Sequence, residues 1–264
     1  MTLFEIDRLT YRYDRLTAIE DLNLAIGEGS RVALVGANGS GKSTLLRILD
    51  GLYFGQAGTV RFRGEALTEA RFADDAFAFS FRRQVGLVFQ NPDVQLFNPT
   101  VFDEVAFGPL QLGWSKSDVR DRVGETLDRF GIAHLKDRVP HRLSGGEKKR
   151  VALASVLVLD PAVLLLDEPT AALDPRSQSR VIDLLVAWGG GAKTVITATH
   201  NLADLEDIAD RCLVLDRGRI VAEAAPAEIL RDRELLERSN LVHAHRHHHH
   251  PGDFHSHPHV HPSE

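Results

Sequence analysis

The run Gly36-Ala37-Asn38-Gly39-Ser40-Gly41-Lys42-Ser43-Thr44 fits the pattern GxxxxGK[ST] at every fixed position. The pattern constrains the fold because it works only between a strand and a helix. Arg31 to Val35 before it reads as a buried strand, and Thr44 to Leu49 after it reads as a helix. Between them, glycines let the backbone curl so that successive N–H groups point at one anion. The helix N-terminus adds its positive end. In such a loop Lys42 reaches the outer phosphates of a nucleotide and the Ser43 hydroxyl ligates Mg²⁺. Gly36, Asn38, Gly39, Ser40, Gly41 and Thr44 complete the candidate cradle.

The rest of the chain alternates strand-like and helix-like runs. Residues 3–26 alternate loosely between apolar and polar. Val60–Gly64, Val85–Phe89, Val163–Leu166, Thr194–Thr197 and Cys212–Leu215 read as short strands. From about Val94 to Arg142 the pattern turns helical, with Val119, Val123, Leu127 and Phe130 on one face. Ser177–Trp188 is also helical in spacing. This alternation predicts a mostly parallel sheet with helices on both faces. The insertion Ala70–Phe81, rich in Ala, Phe and Asp, takes no assignment.

Composition narrows the class. A chain of 264 residues with 43% hydrophobic and 26% charged residues supports a sizeable core. A net charge of −6 argues against a nucleic-acid-binding face. One cysteine, Cys212, forms no internal disulfide and suits a reducing compartment. Apolar runs such as Val151–Leu159 fall short of a membrane span, and the first residues lack the build of a signal peptide.

Two further motifs carry chemistry. Ala162-Val163-Leu164-Leu165-Leu166-Asp167-Glu168 is an apolar strand ending in two acids. A phosphate-loop enzyme needs a carboxylate there for its Mg²⁺, which suits Asp167. Glu168 beside it is placed to deprotonate an attacking water. Leu143-Ser144-Gly145-Gly146-Glu147 precedes a helix expected to start near Lys148, a second positive helix end.

With these motifs in order, the chain resembles the ATP-binding-cassette ATPases over about residues 3–235. The resemblance implies an α/β P-loop NTPase fold, with a RecA-like core, an antiparallel β subdomain and a helical subdomain. It implies ATP and Mg²⁺ as nucleotide and cofactor. Residues 1–242 would form the nucleotide-binding domain, with the helical subdomain inserted at about 93–145. It also implies that Ser144, Gly145 and Gly146 close on the nucleotide of a second ATPase subunit, identical or related. Gln90 would sense Mg²⁺ and water, Asp174 would lie in a loop crossing the dimer interface, and His200 would contact the γ-phosphate. Tyr13 would stack on adenine, with Tyr11 close enough to take that part. Glu147 stands where many members have Gln.

The stretch from Gln90 to Pro109 resembles the ATPases of energy-coupling-factor importers, which take up vitamins and transition-metal ions. That resemblance implies a transmembrane coupling subunit docked after Gln90, a membrane substrate-capture subunit, and a peripheral place on the cytoplasmic face of the membrane. Ten of the 13 histidines lie in the last segment: His243, His245, His247, His248, His249, His250, His255, His257, His259 and His261. Neutral imidazole suits Ni²⁺ and Co²⁺. Residues 243–264 are expected to be disordered without a ligand, and to buffer or sense one of these ions. An expression tag would be an unbroken run, and a solvated tail without function is the plainer alternative. The same motifs also suit the ATPase of a vitamin importer, of another ABC transporter, or a soluble non-transport ABC ATPase.

Overall fold

A computed structural model describes residues 1–188, 192–249 and 253–259. Strands β1 (Thr2–Tyr13) and β2 (Leu16–Gly27) pair antiparallel, and their buried positions alternate with exposed ones as in a half-covered sheet. β3 (Arg31–Val35) leads through the glycine loop into helix α1 (Lys42–Leu49). β4 (Ala57–Phe62) and β5 (Glu65–Ala66) return to the first sheet, whose order is β2-β1-β4-β5.

The second sheet holds the motifs. After helices α2 (Glu69–Phe72) and α3 (Asp75–Gln84) come strand β6 (Val85–Val88) and a helical excursion. The excursion comprises α4 (Val101–Gln111), α5 (Lys116–Arg129) and α6 (Gly145–Leu157). It ends at β7 (Val163–Asp167), which is followed by α7 (Pro175–Trp188) and β8 (Thr194–Thr199). Helix α8 (Leu205–Ile208), β9 (Arg211–Asp216), β10 (Arg219–Ala224), α9 (Pro226–Arg231) and α10 (Arg233–Arg238) complete the core. The sheet order is β10-β9-β3-β8-β7-β6, with only the β10 edge antiparallel. Helices cover both faces, so β7 and β8 are buried at every position; β7 reads as an apolar run up to Asp167, while β8 buries Thr194, Thr197 and Thr199 among its apolar residues.

The helical excursion has its own core. Val119, Val123, Leu127 and Phe130 are buried with Val105, Val151 and Leu153. Each such side chain contributes about 1.5–3 kcal/mol on burial. The α4–α5 part of the excursion is closed at its base by backbone bonds from Val101 N to Arg138 O (3.0 Å) and from Phe102 N to Lys136 O (2.9 Å). Helix α6 starts at Gly145, three residues before the expected Lys148. Ser144 accepts from Glu147 N while Glu147 accepts from Ser144 N, a capping box that fixes the earlier start.

The unassigned insertion is an aromatic plug. Phe72, Phe77 and Phe81 on α2 and α3 meet each other and Phe62 of β4 at ring distances of 5.0–6.2 Å. Arg82 then reaches Asp50 at the end of α1, donating to its backbone O (2.6 Å) and to Oδ2 (3.0 Å). Among the described residues no helix is long and apolar enough to cross a membrane.

Strands β11 (His243–His249) and β12 (Asp253–His259) pair antiparallel with each other and join neither larger sheet. Alternate residues in both runs are histidine, a period of two that suits a strand. Pro251-Gly252 between them is a turn dipeptide in sequence. His250 and His261 lie outside the described residues.

Candidate active site

The glycine loop joins the C-terminal end of β3 to α1. Gly41 takes φ 109°, and a Cβ there would stand 2.5 Å from Ala18 O, so only glycine fits. Gly39 takes φ 82°, and a Cβ there would meet nothing within 4 Å, which leaves the loop open on that side. A Cβ on Gly36 would strike Ser40 Oγ and Leu215 O. Ser40 Oγ is buried without a partner among the described residues. Helix α1 starts with no side-chain cap, so the N–H groups of its first turn are left to a ligand. An open glycine cradle, an orphaned buried hydroxyl and an uncapped helix start together fit a bound polyphosphate.

Lys42 is buried, and its Nζ folds back to donate to Gly36 O (2.6 Å) and Ala37 O (3.1 Å). Burial pulls its pKa below the usual lysine range, and the nearby Glu168 and Asp167 carboxylates push it back up. Ser43 Oγ donates to Asp167 Oδ1 at 2.9 Å, joining the start of α1 to the end of β7. A hydroxyl and a carboxylate side by side are a hard-oxygen pair of the kind Mg²⁺ takes. Burial raises the Asp167 pKa, against the opposing hydrogen bond from Ser43.

Glu168 is buried and sits at φ 47°, a left-handed conformation that costs a non-glycine residue about 1–2 kcal/mol. Its N–H donates to Ala198 O (2.9 Å), which ties it to β8. Its Oε1 lies 2.8 Å from His200 Nδ1 and 3.9 Å from Lys42 Nζ. Lys42, Ser43, Asp167, Glu168 and His200 thus meet at one edge of the parallel sheet. They come from three separate elements.

Other candidate residues sit apart from that cluster or only border it. Tyr13 hydroxyl lies 3.2 Å from Thr44 Oγ1, while the face of Tyr11 is covered by Tyr53, with rings 5.4 Å apart and 7° from parallel. That leaves Tyr13 nearer the loop than Tyr11. Gln90 is exposed, and its side chain makes no hydrogen bond among the described residues. Asn38 is exposed on the loop. Ser144 Oγ donates to Glu147 Oε2 (2.7 Å), and that bond holds the Glu147 carboxyl below its usual range. Among the described residues no hydrogen bond joins Ser144, Gly145 or Gly146 to the glycine loop. Asp174 caps α7 through Arg176 N, Ser177 N and Ser177 Oγ. A Cβ on Gly146 would stand 2.8 Å from that Ser177 hydroxyl, so the Asp174 turn and the Ser144 loop adjoin.

Two residues missed in the sequence belong to this edge. Lys149 is 2% exposed and donates to Phe89 O, Gln90 O and Glu168 O. Burial pulls its pKa down to about 8. Gln95 accepts from Phe89 N and donates to Ala152 O. Helical spacing was the available signal for Lys149, since Lys149, Ala152 and Leu153 fall on one buried stripe.

Comparison with known proteins gives a consistent picture. The family model described as "ABC transporter" matches residues 19–171. A nickel import ATP-binding protein, NikO, of Rhodobacter capsulatus is 53% identical over 242 residues, covering 90% of this chain and 95% of that protein. The energy-coupling factor transporter ATP-binding protein EcfA of Methanothermobacter thermautotrophicus is 42% identical, covering 90% of this chain and 76% of its own. Among solved structures, cbiO1 from Clostridium perfringens, part of the ABC transporter complex cbiONQ, superposes with TM-score 0.76 at 37% identity. That match covers 91% of this chain and 95% of cbiO1.

Proposed function

The chain belongs to the ABC transporter ATPases, and on that premise we propose that it is the ATP-hydrolysing subunit of an energy-coupling-factor importer for nickel or cobalt ions. The observation that carries the hydrolytic part is the Glu168 carboxylate, held between Lys42 and His200 beside the Ser43–Asp167 pair. The loop N–H groups and Lys42 bind the β- and γ-phosphates, with Lys42 exchanging its carbonyl partners for phosphate oxygens. Ser43 and Asp167, with Gln90 after its loop moves, would hold Mg²⁺. The ion, when bound, offsets charge developing on the β- and γ-oxygens. Glu168 takes a proton from water as its oxygen bonds to the γ-phosphorus, and His200 orients that carboxylate. The bond from the γ-phosphorus to the bridging oxygen breaks, and its electron pair leaves on ADP. Tyr13 stacks on the adenine.

Ser144, Gly145 and Gly146 of one subunit complete the site of another, with Asp174 at the seam. The absence of a hydrogen bond from Ser144 to its own glycine loop, among the described residues, supports this arrangement. Family members work as dimers with transmembrane subunits. A dimeric cassette bound to ADP and phosphate is similar in fold, with TM-score 0.76 at 28% identity. For the transmembrane coupling subunit, support comes from exposed apolar side chains after Gln90. Val94 and Phe97 are 68% and 63% exposed, and Phe97 meets Phe107 edge-on at 5.0 Å. The protein would sit peripherally on the cytoplasmic face of the membrane, beside a membrane substrate-capture subunit.

The metal assignment is supported by the nickel-import relative and by the tail register. In that register His243, His245 and His247 pair with His259, His257 and His255. Nickel binds such imidazole sets more tightly than cobalt.

The test of the ATPase reading mixes subunits. Ser144→Arg or Lys42→Ala alone should abolish hydrolysis. A heterodimer of the two variants keeps one intact composite site and should regain activity. Heterodimers that form and never hydrolyse ATP would overturn the shared-site reading.

A further inference from the structure

Helix α6 carries Ser144 at its first turn and Lys149 one turn further on. Lys149 is a buried cation with no ion pair among the described residues. Its ammonium is satisfied instead by three backbone carbonyls: Phe89 O (3.1 Å), Gln90 O (3.1 Å) and Glu168 O (3.3 Å). Burying an ammonium among carbonyls alone is costly, and a methionine would fill the same space without that cost. The carbonyls come from two different strand ends, after β6 and after β7. One side chain therefore fastens α6 to both the Gln90 loop and the Glu168 backbone.

A second tether runs alongside. Gln95 Oε1 accepts from Phe89 N (3.2 Å), and its Nε2 donates to Ala152 O (2.8 Å) and Ser155 Oγ (3.1 Å) on the same helix. Among the described residues the Glu168 backbone is otherwise held from the β8 side, through Ala198 O (2.9 Å), and by Ala171 N, which donates to Glu168 O at 3.3 Å. Its left-handed φ fixes the direction in which the carboxylate leaves the chain, so a small backbone shift there swings Oε1 away from His200.

We propose that Lys149 is a positioning residue that locks the backbone of Gln90 and Glu168 to the Ser144 helix, so that seating of Ser144 on a partner's nucleotide sets the water-activating carboxylate of its own site. A helix moves as a rod, and a displacement at Ser144 arrives at Lys149 one turn later. The two composite sites of a dimer are then coupled through α6: each helix reads one nucleotide and adjusts the machinery around the other. The inference rests on the assignment of Glu168 as the base and on the shared-site reading above.

The test uses the full-length chain with Lys149→Met, Lys149→Gln, Lys149→Arg, Glu168→Gln and the double variant Lys149→Met/Glu168→Gln. Affinity is read with a fluorescent ATP analogue, turnover at saturating ATP, and folding by thermal melting. Because the Lys42 loop is untouched, Kd should stay within about threefold while kcat of Lys149→Met falls at least about tenfold, the scale on which misplacement slows a reaction. Lys149→Arg, which keeps several donors, should recover most of the rate. In the Glu168→Gln background the same Lys149 change should lower the residual rate less than about twofold, as for groups acting as one unit. A folded Lys149→Met or Lys149→Gln protein with unchanged kcat would overturn the proposal. So would equal losses with and without Glu168, or a loss confined to Kd. If Lys149→Met does not fold, Lys149→Gln decides by the same readings. Full activity of Glu168→Gln alone would instead remove the base assignment, a separate failure.

Discussion

Replacing Glu168 by Gln separates two roles of one carboxylate. The amide keeps the size of the side chain, and its oxygen still accepts from His200, whose Nδ1 lies 2.8 Å away. What disappears is the proposed base and one negative charge, 3.9 Å from Lys42 Nζ with both groups buried. At an effective dielectric constant of about 20, that charge attracts the ammonium with roughly 4 kcal/mol of Coulomb energy. Its loss frees Lys42 for phosphate and removes a repulsion from the polyphosphate. ATP should therefore bind at least as tightly as in the parent protein. Turnover should fall at least about a hundredfold, the lower range for a general base, which is about 2.7 kcal/mol in the barrier. The opposite signs on binding and on rate identify the effect. Phosphate release is measured at saturating ATP, so affinity drops out, and binding is measured separately with a fluorescent analogue. A nucleotide-closed dimer should accumulate, visible as a larger species in size-exclusion chromatography. Turnover within about threefold of the parent would refute the role of Glu168, and weakened ATP binding would refute the account of Lys42.

Burial pushes the Asp50 pKa up to about 7, against the lowering effect of Arg82. The folded state therefore holds that proton better than the unfolded chain, so the contribution is complete below about pH 4 and is lost as pH rises through 7. In urea unfolding, the stability of Asp50→Asn relative to the parent should rise by on the order of 1–2 kcal/mol between pH 5 and pH 7; a flat difference removes the buried-acid argument. Deleting residues 243–264 should leave ATP hydrolysis within about twofold, because the nucleotide-site residues all precede the tail, and should remove most tight Ni²⁺ binding seen by calorimetry. In the full-length chain that binding should weaken steeply from pH 7.5 to about pH 5.5, since imidazole must be neutral to bind and titrates near about 6.5. Unchanged metal stoichiometry after truncation places the metal elsewhere.

The parts legible in the sequence are those whose chemistry is local. Gly36–Thr44 declares a strand, a loop and a helix start within a few residues, and Val163–Glu168 declares a buried strand ending in acids. The pairing of Ser43 with Asp167 spans 124 positions, and only the sheet order brings β3 and β7 to opposite sides of β8. Phe77-Ala78-Phe79-Ser80-Phe81 reads as period two, yet it is a helix. Phe77 and Phe81 pack inward four residues apart, while Phe79 is half exposed, so the inward face follows the helical repeat, and the sequence alone left the segment unassigned. Lys149 hid because a lysine in a glycine-flanked helix start looks solvated, and its partners are main-chain oxygens that leave no residue-type trace. The left-handed turn at Glu168 is equally silent, since nothing in a Glu announces positive φ.

The base of the α4–α5 segment also bears on how such a protein can diversify. Two main-chain bonds, Val101 to Arg138 and Phe102 to Lys136, close the α4–α5 segment at its base, and side-chain identity contributes nothing to them. Between those points the chain works as a cartridge. Its outer surface, Phe107 included, can be rewritten without disturbing Lys42, Asp167 or Glu168, all of which lie outside that segment. One engine thereby serves many sockets, and substrate choice can drift while the combustion chamber stays fixed.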